Sequence, residues 1–125
     1  MNRYDPLQAP EPVEWLALDE GERIELVREY HRRARVNLPN ERLHASIHAI
    51  VENQVALGEE TLVRSTLERL QNEGLDRHEA VHAIGSALAE YVFDAAKGSA
   101  AGGDPSERYY AELARLTAEG WSRAC

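Results

Sequence analysis

Four of the chain's five histidines fall into two pairs spaced four residues apart, His44 and His48 in "LHASIH" and His78 and His82 in "RHEAVH". On a helix that spacing stacks both imidazoles on one face, which is how one helix supplies two ligands to a single metal ion. Five histidines scattered at random would give about 0.15 such pairs, so finding two is informative. Imidazole suits zinc, nickel, copper or iron. The expectation is therefore a divalent transition metal, zinc first, on His44, His48, His78 and His82. Glu79 or Gln54 would orient those ligands from behind. The fifth histidine, His31, lies on an apolar stripe with Ile24, Val27 and Ala34 and reads as a hydrogen-bonded core residue.

"HEAVH", residues 78–82, also spells H-E-x-x-H, in which two histidines and a third ligand hold zinc and the glutamate acts as general base on the metal-bound water. The extended form of that motif needs a third histidine where this chain has Leu88, and no histidine follows His82. Glu107 or Glu112 could stand in only from beyond a glycine-rich loop. Asp76-Arg77-His78-Glu79 has the D-x-x-E form of a capping box, which would turn Glu79 back toward the helix start and away from a metal water. It would also set His78 in the first turn, where the positive helix end favours neutral imidazole. A zinc hydrolase with Glu79 as its catalytic residue is thus the lesser reading, and no other catalytic residue is assigned. The balance leans away from an enzyme. A reading of another class is a metal-free interaction or dimerisation module, docking a second copy or another protein through apolar helix faces, with the histidines in a polar network at helix borders.

The elements that must carry these residues read as helices throughout. The first 12 residues, "MNRYDPLQAPEP", contain three prolines and read as an extended arm before a short helix at 13–18. Asp19 and Glu22 form a capping box for a helix over 20–36. Pro39-Asn40 marks the start of a helix over 41–57, closed by Gly58, and a further helix over 59–73 stops at Gly74. A long helix over 77–96 follows. Residues 97–104 read as a flexible loop of glycine, serine and alanine, and a last helix over 105–119 begins with Asp104 as cap and Pro105 in its first turn.

No stretch alternates with period two over a useful length, so no strand is assigned. The expected fold is all-α, a bundle of five to six helices with short connections and a proline-rich N-terminal arm, in one domain over residues 1–125. On the 41–57 helix, angles of 100° per residue centre the apolar stripe on Leu43, Ile47 and Val51, with Glu52 nearer the far side. On the 77–96 helix, His78 and His82 share a stripe with Gly85, Ala89 and Phe93, whose small members would let another helix come close.

With 125 residues and 43% of them hydrophobic, the chain can bury one core. Its formal charge of −8, from 22 acidic and 14 basic residues, argues against nucleic acid as a partner. The one basic stripe, Arg28, Arg32 and Arg35, has Glu25 and Glu29 a turn away and reads as a solvated helix surface. The sequence has no apolar run long enough to span a membrane and no basic-then-apolar leader, so no membrane partner and a cytoplasmic location are expected. Cys125, the single cysteine, has no second thiol to pair with.

"LHASIHAIVENQVA" and "LDRHEAVHAIGSALAE", across residues 40–96, resemble a family of small bacterial all-helical proteins catalogued only as a domain of unknown function. The resemblance rests on the two histidine pairs, on Glu52-Asn53-Gln54 and on Glu79. It implies a stand-alone bacterial protein with a helical histidine site, and it implies no reaction.

Overall fold

Side-chain caps set where the helices begin. Asp19 Oδ1 accepts from the Glu22 N–H at 2.7 Å while Glu22 Oε1 accepts from the Asp19 N–H at 3.1 Å, a complete capping box. Asn40 Oδ1 accepts from the Leu43 N–H at 3.2 Å, and Asp76 Oδ1 from the Glu79 N–H at 2.8 Å. In the computed structural model, which describes residues 1–35, 40–96 and 105–124, these caps open three of seven helices. They run as α1 (Pro12–Ala17), α2 (Glu20–Arg33), α3 (Glu41–Ala56), α4 (Val63–Asn72), α5 (Arg77–Ala96), α6 (Pro105–Arg115) and α7 (Ala118–Ala124), with a 3-10 turn at Gly58–Glu60 before α4. Among the described residues there is no strand, as the sequence led one to expect.

Three boundaries differ from the sequence reading, the first at α2, which ends at Arg33 rather than 36 as Arg35 turns to φ of 58°. The helix expected over 59–73 opens with the 3-10 turn and becomes α-helical only at Val63, because Thr61 is extended and its hydroxyl caps the Val63 N–H at 3.3 Å. The helix expected over 105–119 is two: Leu116 and Thr117 break it, Thr117 Oγ1 caps the Gly120 N–H at 2.9 Å, and Glu73 Oε1 accepts from the Ala118 N–H at 2.9 Å. At the end of α4, Gly74 has φ of 116°. The Leu75 N–H then reaches the Leu70 carbonyl at 3.2 Å, closing the helix as a left-handed glycine should. The expected loop at 97–104, the Asp104 cap, Val36 and Cys125 lie outside the described residues.

Two apolar cores lie on either side of α3. One gathers Val51 with Val63, Leu67 and Leu70 of α4, Ile84 and Leu88 of α5, and Leu113 of α6. The other joins Ala45 and Ala49 of α3 to Val27 of α2, Trp15 of α1 and Tyr4 of the N-terminal arm. The arm is therefore built in: Tyr4 and Trp15 are fully buried. Close packing of α5 on α3 follows from Gly85, where an added Cβ would stand 3.3 Å from Ile47 Cγ2. The basic stripe of α2 is paired as expected, with Arg32 at 2.7 Å from Glu25 and 2.8 Å from Glu29, and Arg28 bonded to Glu41. No helix among the described residues is long and apolar enough to cross a membrane.

Candidate metal centre

All five histidines meet where α2, α3 and α5 converge. His31 arrives from α2, His44 and His48 from α3, and His78 and His82 from the first two turns of α5. Ring centroids lie 4.2 Å apart for His78 and His82, 4.9 Å for His31 and His44, 5.1 Å for His44 and His82, and 5.6 Å for His48 and His78. The two pairs thus face each other, and α5 presents its small-residue stripe to α3. One ligand nitrogen from each of His31, His48, His78 and His82 lies within 4.8 Å of the other three. Tetrahedral zinc with bonds of about 2.0–2.1 Å needs its nitrogens roughly 3.4 Å apart, so the rings would draw in modestly around an ion.

Six ring nitrogens in this cluster are buried and have no hydrogen-bond partner: both of His31, Nε2 of His44, His78 and His82, and Nδ1 of His48. No other buried side-chain nitrogen or oxygen among the described residues is in that position. Each such group left unpaired costs about 1–3 kcal/mol. The burial also suppresses charge. It pulls His31 and His82 down to about 4, with the neighbouring imidazoles adding to it, lowers His44 and His48 in the same way, and lowers His78 against the opposing pull of nearby carboxylates. Near neutral pH the cluster holds neutral imidazoles, the form that binds metal.

Behind His48 runs a second buried network. The Tyr4 hydroxyl is 2.7 Å from His48 Nε2 and donates its proton to the Glu52 carboxylate. Its oxygen must therefore accept from His48, which assigns the proton of that ring to Nε2 and leaves the Nδ1 lone pair facing the other histidines. Glu52 also takes two hydrogen bonds from Arg77, at 2.8 and 2.7 Å, and Arg77 donates to the Pro6 carbonyl at 2.9 Å. Burial opposes the Arg77 charge, and Glu52 together with Tyr4 more than offsets it. Burial and the adjacent Glu52 raise Tyr4 well above the ordinary tyrosine range. Its hydroxyl keeps its proton.

Residues 10–115 match the family described as Domain of unknown function (DUF1841). The chain belongs to that family. The matched stretch of this DUF1841 protein takes in all five histidines, Glu52 and Arg77, and stops short of Tyr4. No curated protein and no solved structure matches it.

Within the DUF1841 chain, the residues singled out by sequence sort into three places. His48, His78 and His82 stand in the close group, and His44 flanks it, touching His31 and His82. His31 is buried as the apolar stripe implied, yet neither nitrogen has the hydrogen bond expected of a core histidine. Its signal was the apolar stripe itself, which fixes a direction and not a neighbour. Gln54 does not back the histidines: its Oε1 accepts from the Tyr109 hydroxyl at 2.8 Å, on the far core. Glu52, which the single-stripe angle put toward the far side of its helix, is instead 1% exposed, because the arm and Arg77 cover that face. The three consecutive residues Glu52, Asn53 and Gln54 hold three different partners, with Asn53 accepting from Trp15 Nε1 at 2.8 Å and from Arg23 at 3.2 Å. Glu79 supplies the backbone N–H that Asp76 caps, while Glu112 pairs with Arg115 at 3.4 Å and Glu107 is exposed.

Proposed function

We propose that this protein binds a divalent transition metal ion, zinc first, through His31, His48, His78 and His82, with His44 beside the site. The observation that carries the reading is a cluster of imidazoles with buried, unpartnered nitrogens, in which one nitrogen from each of His31, His48, His78 and His82 lies within 4.8 Å of the others. A core with no ion to serve would leave several groups unpaired at about 1–3 kcal/mol each. A metal ion would take one lone pair from each of the four grouped rings, and binding free energy of this kind adds directly to folding stability. His31 enters the proposed set where the sequence pattern alone led to His44. The Tyr4 and Glu52 chain orients His48 in the way that metal-bound histidines are commonly held.

The hydrolase reading finds less support. The cluster is completed by histidines from upstream helices, whereas a protease-like H-E-x-x-H site draws its third ligand from downstream, and no strand among the described residues would hold an extended peptide. Four histidines from three helices around one ion would fasten α2, α3 and α5 together.

Protein purified without a histidine tag should contain about one equivalent of metal by elemental analysis. After chelation, zinc at a hundredfold excess over Kd should restore about 2.7 kcal/mol of stability, read as a rise in Tm. The double variant His78→Ala, His82→Ala should show neither effect. Absence of stoichiometric metal together with a Tm indifferent to zinc, cobalt and nickel would overturn the reading.

A further inference from the structure

Between α3 and α5, a cavity of about 470 Å³ abuts the histidines. His44, His48 and His82, with Asn40 and Ser86, form its polar lining, and Leu43, Ile47, Val81, Ala89 and Trp121 supply apolar walls. Leu43 and Ala89 are exposed and His48 is buried, so the cavity runs from solvent inward to the cluster. Its volume falls in the range of about 300–1,000 Å³ usual for small-molecule sites, and apolar walls with a few convergent polar groups are the usual character of such sites.

We propose that this cavity binds a small anionic amphiphile, a carboxylate on an apolar body, whose head group meets the metal ion at the histidines as a fifth ligand, zinc being able to widen from four contacts to five. The proposal rests on the metal reading above. Charge decides the head group. A divalent ion held by four neutral imidazoles keeps its full double charge, and the nearby Glu52 is already neutralised by the two hydrogen bonds from Arg77. A buried charge of that kind is expensive without a counter-ion, and among the described residues no acidic side chain lines the cavity. His44 supplies the second contact. It lies outside the four-nitrogen group, its Nε2 is buried without a partner, and it lines the cavity beside His82. A neutral imidazole offers one N–H, which suits the second oxygen of a carboxylate. The walls choose the body: five apolar side chains at the cavity disfavour a polar or multiply charged ligand.

Octanoate is the probe, titrated by calorimetry into tag-free protein with and without one equivalent of zinc, with 1-octanol as the uncharged control. Octanoate should bind the zinc-loaded protein at least about tenfold more tightly than the metal-free protein and than 1-octanol binds either. In protein loaded with cobalt(II), octanoate should change the visible spectrum of the ion. Ala89→Leu, at an exposed rim position outside the metal-binding group, should weaken octanoate about tenfold and leave zinc affinity as it was. Zinc that binds while octanoate shows no preference for the loaded protein, or leaves the cobalt spectrum unchanged, overturns this inference and spares the metal reading. Failure of zinc itself to bind overturns both.

Discussion

Two buried polar regions lie side by side against α3, and they are finished to different degrees. In the Tyr4–Glu52–Arg77 network every charged or hydroxyl group has its partners within the chain: Arg77 serves Glu52 and the Pro6 carbonyl, and Tyr4 serves Glu52 and His48. A step away, the histidine cluster contains six buried nitrogens with none. The same helix and comparable burial produced both, so shortage of partners nearby is not the cause. A closed network secures the fold. An open one is kept at a cost in stability, and that contrast supports the proposal of a metal ion at the cluster.

Changes to the closed network should hurt most. Arg77→Met leaves the Glu52 carboxylate buried beside Tyr4 alone, and should cost about 3–5 kcal/mol, seen as a lower urea midpoint with or without metal. A loss below about 1 kcal/mol would show that Glu52 does not depend on its partner. Tyr4→Phe sits on the boundary between the two regions. It removes the acceptor for His48 Nε2–H, and about 1–3 kcal/mol of stability should go with it. Zinc affinity should fall roughly tenfold to a hundredfold, since His48 would no longer be held in one tautomer. Unchanged zinc affinity in that variant would separate the two regions after all.

Acid should act on the open cluster. His31 and His82 titrate at about 4 in the folded chain against an ordinary 6.5, so the folded state binds fewer protons between those values and stability falls as pH drops through that window. Their contribution is complete above about pH 6.5. Metal-free protein should melt on the order of 10 °C lower at pH 5 than at pH 7, and the double variant His31→Leu, His82→Leu should flatten that drop. The smallest effect on stability belongs to His31→Leu alone. Replacing a ring with two unpartnered nitrogens by an apolar side chain should leave the metal-free protein within about 1 kcal/mol of the parent, or above it. Zinc affinity should nonetheless fall by more than about tenfold, a separation of stability from binding that Arg77→Met cannot give.

Much of this architecture is written in local pattern. Caps at Asp19, Asn40 and Asp76, glycines at 58 and 74, and the absence of alternation account for the helices and the all-α class. The histidine pairs were visible because spacing of four is a local property, and Gly85 with Ala89 pointed to close approach of a second helix. What escaped is what arrives from a distance. Periodicity on α3 resolves one core-facing stripe, yet this helix is packed on two sides, so Glu52 was placed outward and Gln54 inward to the histidines. Tyr4 lies 44 residues from His48, and its role depends on an arm whose prolines describe only an extended chain. His31 could be assigned to a face of α2 but not to the company it keeps there.

The Arg77 contact with the Pro6 carbonyl spans 71 residues. During synthesis, at about 5–20 residues per second, the arm therefore waits on the order of ten seconds before its anchor has been made. His31, His44 and His48 emerge in that interval, and α5 then delivers His78, His82 and the arm's anchor together. Gathering of the five histidines and seating of the arm become late, coincident events, and a nascent chain stalled before Arg77 would have neither.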